Sequence, residues 1–510
     1  MNDTVSTPLA GSRYLVLGLG LTGQAVARWL ADQQCSLLLV DTRDFPDLFE
    51  SLKSDLADAQ VVWSLGSELS PDLLANVDTV VVSPGLSPHQ APIAEFLQAA
   101  RQAGKPVIGD IELFARALAM LAQSHDYKPA VLAVTGTNGK TTVTALTRHM
   151  LDSCGLRAVA AGNIGPPALQ ALRQALQEPI EQWPQVWVLE LSSFQLHYTE
   201  SLAPKAAVVL NLTQDHLDWH ESFDEYRNDK ARIFDNAEIC LVNRDDPNVV
   251  QMVEAIDLAA VRSFGSDAPV LAHDIGIEDS HALRWLVSAT PEEFEDQVKP
   301  VRRRKGVAPP ARAAGRLVRL MPADVLPMAG MHNTLNVMAA ALLCRAVGAG
   351  WAPLLKAAGS YEGELHRMQF VRTIREVDFY NDSKGTNVGA TVAAVRGLEK
   401  PVVLIAGGLS KGQDFAPLIQ ALAHKAKHVV LIGRDAPLIQ ATLQAGGIQS
   451  EISVGMAAAV VSAFSRAEPG QVVLLSPACA SFDMFSSYGH RGQAFMDEVA
   501  ELALSLGEVA

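Results

Sequence analysis

The run Val131-Leu-Ala-Val-Thr-Gly136-Thr137-Asn138-Gly139-Lys140-Thr141-Thr142 puts an apolar stretch, two glycines, a lysine and two hydroxyls into one short space. That combination suits a polyphosphate. Gly136 and Gly139 let the backbone N–H groups around Thr137 and Asn138 turn inward, Lys140 adds a point charge, and Thr141 or Thr142 can reach Mg2+ at a helix N-terminus. The spelling departs from G-x-x-x-x-G-K-[ST], which asks for glycine where Val134 stands, so Gly136 takes over and the loop is tighter. The plainer alternative is an ordinary glycine turn between strand and helix. Farther on, Glu190 ends the apolar run Val186 to Leu189, a place where an acid holds Mg2+ beside a phosphate loop or is simply a strand-end carboxylate. His216 follows the apolar run Ala207 to Leu210 amid Asp215 and Asp218, and Lys230 comes one helical stretch later. A histidine at a strand end among carboxylates is a site candidate.

These groups share a position: each follows a short apolar strand and precedes a helical pattern, and open α/β sheets bind ligands at such strand ends. The fold class expected is therefore α/β with three domains. Residues 1–121 form a Rossmann-like unit, in which the strand Tyr14 to Gly18 runs into Gly18-Leu-Gly20-Leu-Thr22-Gly23. A second strand, Ser36 to Val40, ends in Asp41-Thr42-Arg43, and a third, Thr79 to Val82, ends in Ser83-Pro84-Gly85. Taken alone, this fingerprint reads as a dinucleotide site with Asp41 on a ribose. Residues 122–362 form a central P-loop-type parallel sheet, with an insertion at about 267–327. Residues 363–510 form a second Rossmann-like unit, whose strand ends deliver Asn381 to Asn387, Gly407 to Lys411, Gly433 to Asp435 and Ser476 to Asp483. Inside the insertion, the basic stretch Val301 to Arg316 reads as an exposed solvated loop, with a partner-binding patch as the alternative. His332, Asn333 and Asn336 open an alanine-rich helix, where the amides could read a base edge or merely cap the helix.

The bulk numbers narrow the class. A chain of 510 residues is too long for one core, which favours about three domains. A formal charge of -15 argues against a nucleic-acid surface, so anionic substrates need local cations and helix ends. Five scattered cysteines with no C-x-x-C pair indicate neither zinc nor a disulfide framework. A polar start without a basic end or apolar run, and no apolar stretch of about 18 residues, point to a cytoplasmic enzyme without membrane insertion.

Six ordered motifs together, Gly136 to Thr142, Glu190-Leu-Ser-Ser-Phe-Gln195, Asp215-His216-Leu-Asp218, His332-Asn333, Asn381-Asp382-Ser-Lys384 and Ser476-Pro-Ala-Cys-Ala-Ser481, resemble the Mur ligases of peptidoglycan synthesis. The likeness spans nearly the whole chain and is greatest to the branch that adds D-glutamate. It implies ATP, a UDP-muramoyl-L-alanine acceptor and an acyl phosphate that the amine of D-glutamate attacks, giving ADP and phosphate. It further implies two Mg2+ ions, one between Thr141 and Glu190 and one held by His216 and a carbamylated Lys230. Asn333, Asn336, Arg367, Asp382 and Lys384 match residues on the nucleotide side. Asn163 and Gln195 match positions on the muramoyl-alanyl side, and Thr386, Lys411, Ser481, Phe482 and Tyr488 match the D-glutamate side. The glycine turns of the first unit would then bind UDP rather than NAD, with Thr22, Asp41, Thr42, Arg43 and Gly85 beside it. A monomer is expected. The chain departs from the family's frequent Gly-Gly-Asp-x-Lys by carrying Leu409 in Gly407-Gly408-Leu409-Ser410-Lys411.

Overall fold

A computed structural model describes residues 9–508 except 48, 67, 282, 292–311, 329 and 411. Strands rich in Val, Leu and Ile alternate with amphipathic helices and assemble into three sheets of five, nine and six strands. The first sheet is parallel throughout, in the spatial order Val61–Leu65, Ser36–Asp41, Arg13–Leu17, Thr79–Val82, Val107–Ile108. Its order reverses between Arg13–Leu17 and Thr79–Val82, so a crevice opens where the glycine turn and Gly85 lie. Gly18 is needed there. Its φ is +87°, and the Ser83 hydroxyl donates to its carbonyl at 2.6 Å, which leaves no room for a side chain.

The nine-stranded sheet has a parallel core whose spatial order is Val261–Phe264, Cys240–Asn243, Ala206–Val209, Ala130–Thr135, Val186–Glu190, Ala158–Gly162. Ile275–Ser280, Leu283–Pro291 and Gly315–Pro322 extend it, the last two pairings being antiparallel. This corrects the solvated-loop reading for 312–316. Arg312 is buried in an ion pair with buried Asp274, and Gly315 and Arg316 begin a strand; residues 301–311 of that basic stretch lie outside the described residues. The third sheet runs Gln369–Ile374, Val377–Asn381, Val472–Leu475, Val402–Gly407, Ala426–Ile432, Ser450–Ile452, antiparallel only in its first pairing.

Apolar packing divides the molecule unevenly. One continuous core joins Val16, Trp29, Leu30 and Phe114 of the first lobe to Leu172, Trp187 and Leu189 of the second. The third lobe's two cores draw only on residues from 368 onward. Among the described residues no apolar core spans the boundary of the third lobe, which suits a lobe that reorients about its linker. The linker carries Gly363, His366 and Met368 at φ of +95°, +63° and +41°. Among the described residues no helix is long and apolar enough to cross a membrane.

Candidate active site

The phosphate loop is built as its residues dictate. Ala130–Thr135 ends under Gly136, whose φ of +147° and close approach to Leu210 exclude a side chain, since a Cβ there would lie 3.0 Å from that of Leu210. The helix Lys140–Ser153 starts on Gly139 at φ +82°. Asn211 pins the turn from the next strand end: its Oδ1 accepts the Asn138 N–H at 2.8 Å and its Nδ2 donates to the Asn138 carbonyl at 3.1 Å. Thr137 is held by the Tyr226 hydroxyl at 2.9 Å.

Two lysines meet at this turn. Lys140 Nζ donates to the carbonyls of Gly136 at 3.0 Å and Thr137 at 2.9 Å, and Lys230 Nζ donates to the Gly136 carbonyl at 2.9 Å and to Thr135 Oγ1 at 3.2 Å. Burial pulls both ammonium groups below their ordinary range, against the attraction of Glu190 and Asp215, and Lys140 lowers Lys230 further. Lys230 falls far. Glu190 is buried, with Oε1 accepting from Asn163 Nδ2 at 2.7 Å and Oε2 without any hydrogen-bond partner. A buried carboxylate oxygen facing two lysines and a helix start is fit to receive a cation. His216 takes φ +56° beside Asp215, its Nε2 3.7 Å from Asp215 Oδ2, and packs edge-on to Phe194 at 4.7 Å. Thr141 is half-buried and Thr142 buried at the helix start.

A cavity of about 270 Å³ opens from the loop between the second and third lobes. Asn138, Gly139 and Thr142 floor it, Asn333 and Asn336 stand on one wall, and Arg367, Asp382 and Lys384 stand on the other. Asn336 Nδ2 donates to Asn333 Oδ1 at 3.2 Å, so the two amides are set as a pair rather than spent on capping. Ser476 donates to Asp382 Oδ2 at 2.7 Å, and burial raises the Asp382 carboxyl to about 6 despite that bond. The Lys384 ammonium lies 3.8 Å from the centre of the Tyr488 ring.

The remaining expected residues are distributed unequally. Thr386 is half-buried next to this cavity's rim, Ser481 is buried, and Phe482 is 72% exposed at the same loop; Lys411 lies outside the described residues. Leu409 exchanges backbone hydrogen bonds with Ala480, and Asp435 reaches over from the neighbouring strand end to accept the Ser410 N–H at 2.6 Å. Asp41 is occupied internally. Its oxygens accept the Leu19 N–H at 2.7 Å and three Arg43 N–H groups at 2.9 Å each; burial pushes its pKa up, but these bonds outweigh burial and hold it low. It therefore fixes the glycine turn, leaving Thr22, Thr42, Arg43 and Gly85 at the crevice surface. Gln195 is likewise committed, to a capping box with Ser192 and to Asp110 Oδ2 at 2.9 Å.

Three family descriptions match this chain in order: "Mur ligase MurD-like, N-terminal domain" over 12–109, "Mur ligase middle domain" over 134–299 and "Mur ligase, glutamate ligase domain" over 366–479. The UDP-N-acetylmuramoylalanine–D-glutamate ligase of Bordetella bronchiseptica is 52% identical, with 100% of each chain covered. The chain belongs to the Mur ligase family. It is an ATP-dependent ligase that forms amide bonds. The Ralstonia nicotianae ligase of the same name is 47% identical over 98% of this chain and 99% of its own. Solved Mur ligases share the fold: MurF of Acinetobacter baumannii has a TM-score of 0.55 at 16% identity, covering 98% of this chain and 93% of its own. MurC of Thermotoga maritima has a TM-score of 0.54 at 17% identity, covering 96% and 99%.

Two residues that motif spelling did not single out hold the elements of the site together. Asn387 bridges the lobes, donating from Nδ2 to Asn138 Oδ1 at 3.0 Å and to Asp215 Oδ2 at 3.3 Å, while its Oδ1 caps Val388–Gly397 through the Ala390 N–H at 2.8 Å. Its place three residues after Lys384, before an alanine-rich helical run, was the available signal. Arg491 had none. Wholly buried on the helix Tyr488–Ser505, it donates to the carbonyls of Cys479, Ala480 and Ser383 and to Ser383 Oγ, tying the Ser481 loop to the Lys384 loop. Asn387→Asp keeps the cap but replaces the donor with a carboxylate beside Asp215. The expected result is roughly a tenfold fall in kcat/KM for ATP with the thermal midpoint within about 2 °C, read by phosphate release and thermal unfolding.

Proposed function

We propose that this ligase joins D-glutamate to UDP-N-acetylmuramoyl-L-alanine in peptidoglycan synthesis, converting ATP to ADP and phosphate through an acyl phosphate. The observation that carries the reading is identity of 46–52% over 97–100% of the chain to relatives named for that product. A carboxylate is a poor acyl donor near neutral pH, so its oxygen must first take the γ-phosphoryl group, with ADP leaving; the amine nitrogen then bonds to the acyl carbon as phosphate leaves. Two anions approach each other only where cations screen them; Arg367 and Lys384 line the cavity with the loop residues Asn138 and Gly139, and Lys140 follows them on the loop.

The residues present fit two divalent ions: Thr141 and Glu190 would hold one, since Glu190 Oε2 is buried without a partner, and His216 with a carbamylated Lys230 would hold the other. Mg2+ at those positions would neutralise the phosphate charge. Asn333, Asn336 and Asp382 are assigned to the nucleoside, and Asn163 and Gln195 to the muramoyl-alanyl arm, Gln195 acting through the helix start that it caps. Thr22, Asp41, Thr42, Arg43 and Gly85 are assigned to the uridine diphosphate, with Asp41 acting through the turn it holds. Thr386, Lys411, Ser481, Phe482 and Tyr488 are assigned to D-glutamate. Residues 1–121, 122–362 and 363–510 are the corresponding domains of a cytoplasmic monomer.

The test is an amino-acid panel offered to UDP-N-acetylmuramoyl-L-alanine with ATP and Mg2+, scored by product mass. D-Glutamate alone should be incorporated, with one ADP per amide. Incorporation of a different amino acid, or AMP as product, sinks the reading.

A further inference from the structure

Next to His216, whose carbonyl accepts the His220 N–H at 3.1 Å, two imidazoles and two carboxylates gather. His197 Nδ1 lies 2.9 Å and His220 Nδ1 3.4 Å from the same oxygen, Asp229 Oδ2. A Glu225 oxygen lies within 4.8 Å of the His197 and Asp229 atoms. The His220 ring is completely buried and its Nδ1 makes no hydrogen bond, whereas its Nε2 sits 2.9 Å from Ser193 Oγ. In a neutral ring that donates from Nε2 to Ser193, the Nδ1 lone pair points at a carboxylate oxygen. Lone pair and anion repel each other unless a cation lies between them.

We propose that His197, His220, Asp229 and Glu225 form a site for a borderline divalent cation of the Zn2+ class, separate from the two Mg2+ positions of the reaction. Two imidazole nitrogens with carboxylate oxygens favour Zn2+, Co2+ or Ni2+ over Mg2+, which prefers oxygen ligands and retained water. The 2.9 and 3.4 Å separations of the two imidazoles from Asp229 Oδ2 fit, because ligand atoms each about 2.1 Å from one ion lie roughly 3–3.5 Å apart. The Ser193 contact supplies the outer hydrogen bond that fixes a ligand imidazole's tautomer. The cation replaces the proton between His197 and Asp229 and links the helix Ser193–His197 to the helix Phe223–Ala231, which carries Lys230. Glu225 also meets His89 of the first lobe at 2.6 Å, so the link reaches the substrate-side crevice.

The test uses full-length protein freed of metal by chelation, returned to excess Mg2+ and titrated with Zn2+, with metal per chain counted after gel filtration. About one Zn2+ per chain should stay bound, and Co2+ in its place should give the visible absorption of a four-coordinate nitrogen–oxygen site. Asp229→Asn and the more exposed His197→Gln and Glu225→Gln should each weaken Zn2+ binding by at least about tenfold, while His216→Gln leaves it within about twofold. The proposal is overturned if the three ligand variants retain Zn2+ as the parent protein does, or if His216→Gln removes it, which would place the ion at the reaction's own metal position. Neither readout depends on the identity of the amino-acid substrate.

Discussion

Lys140→Ala is expected to lower ATP-dependent phosphate release by roughly 10²–10³-fold while the protein remains folded. The ammonium is desolvated and donates to two carbonyls of the loop that wraps it. That arrangement costs desolvation and gains no ion pair at contact distance, so a polyphosphate arriving over Gly136 to Gly139 is a better partner than the resting one. The charge is thus held for an anion that only the reaction brings. Stability should change little, because the variant removes a desolvated charge together with its two hydrogen bonds, and the Gly136 carbonyl keeps the Lys230 donor at 2.9 Å. The thermal midpoint should move by no more than about 3 °C. The pH profile of the parent enzyme carries the same signature. Burial lowers the Lys140 pKa, so the proton is lost as pH rises through a value below the ordinary lysine range, and the alkaline limb of activity should fall correspondingly early. Lys140→Arg tests shape against charge: its fork cannot reach both carbonyls from the same stem, so activity should stay far below the parent. Phosphate release within tenfold of the parent in Lys140→Ala would falsify the assignment of this lysine to the phosphates.

How far the sequence reaches depends on whether a feature is local. Strand ends were legible because a buried parallel strand is a short apolar run, and the residue after it is a ligand candidate by topology alone. Val131 to Thr135, Val186 to Glu190 and Ala207 to Leu210 all obey this and surround one loop. The strands Ile275–Ser280 and Gly315–Pro322 were not legible, since Glu278, Asp279, Arg316 and Arg319 interrupt the apolar pattern and the pairing runs antiparallel across a long gap. Asp41 illustrates a different limit. Its spacing after the glycine turn is that of a ribose ligand, and spacing located the crevice without showing that Leu19 and Arg43 already bond both oxygens. The pairing of Asn387 with Asn138 across two lobes, and the tie that Arg491 makes to the Ser383 loop within the third, cannot be read from the linear sequence because the partners are far apart in the chain. The shared core of the first two lobes, against the separate cores of the third, is of the same kind.

Lys230→Ala is expected to lose roughly 10²–10³-fold in kcat and to recover part of it when a small carboxylate such as formate or acetate is added. The reasoning starts from the amine. Lys230 is wholly buried, its Nζ lies 4.8 Å from the Tyr226 ring centre, and burial together with Lys140 drives its pKa well below the usual lysine range. A lowered pKa enlarges the uncharged fraction of the amine, which is the form that attacks CO2: the nitrogen bonds to carbon, one C–O π pair moves onto oxygen, and the nitrogen's proton leaves to solvent. The product is an anionic carbamate next to Lys140, which exchanges a destabilising like-charge neighbour for an attractive one. The sign is therefore favourable twice over, and the same change turns a residue that repels a divalent ion into one that binds it. Enzyme prepared and assayed without bicarbonate should be slow and should recover on adding it, and the intact mass should rise by one CO2. Lys230→Arg, which stays protonated and cannot form a carbamate, should be as slow as Lys230→Ala and should not respond to formate, because its guanidinium fills the space the carboxylate would take. If Lys230→Ala ignores formate and acetate while the parent is indifferent to bicarbonate, Lys230 is a structural donor to Gly136 and Thr135, and His216 holds its ion without it.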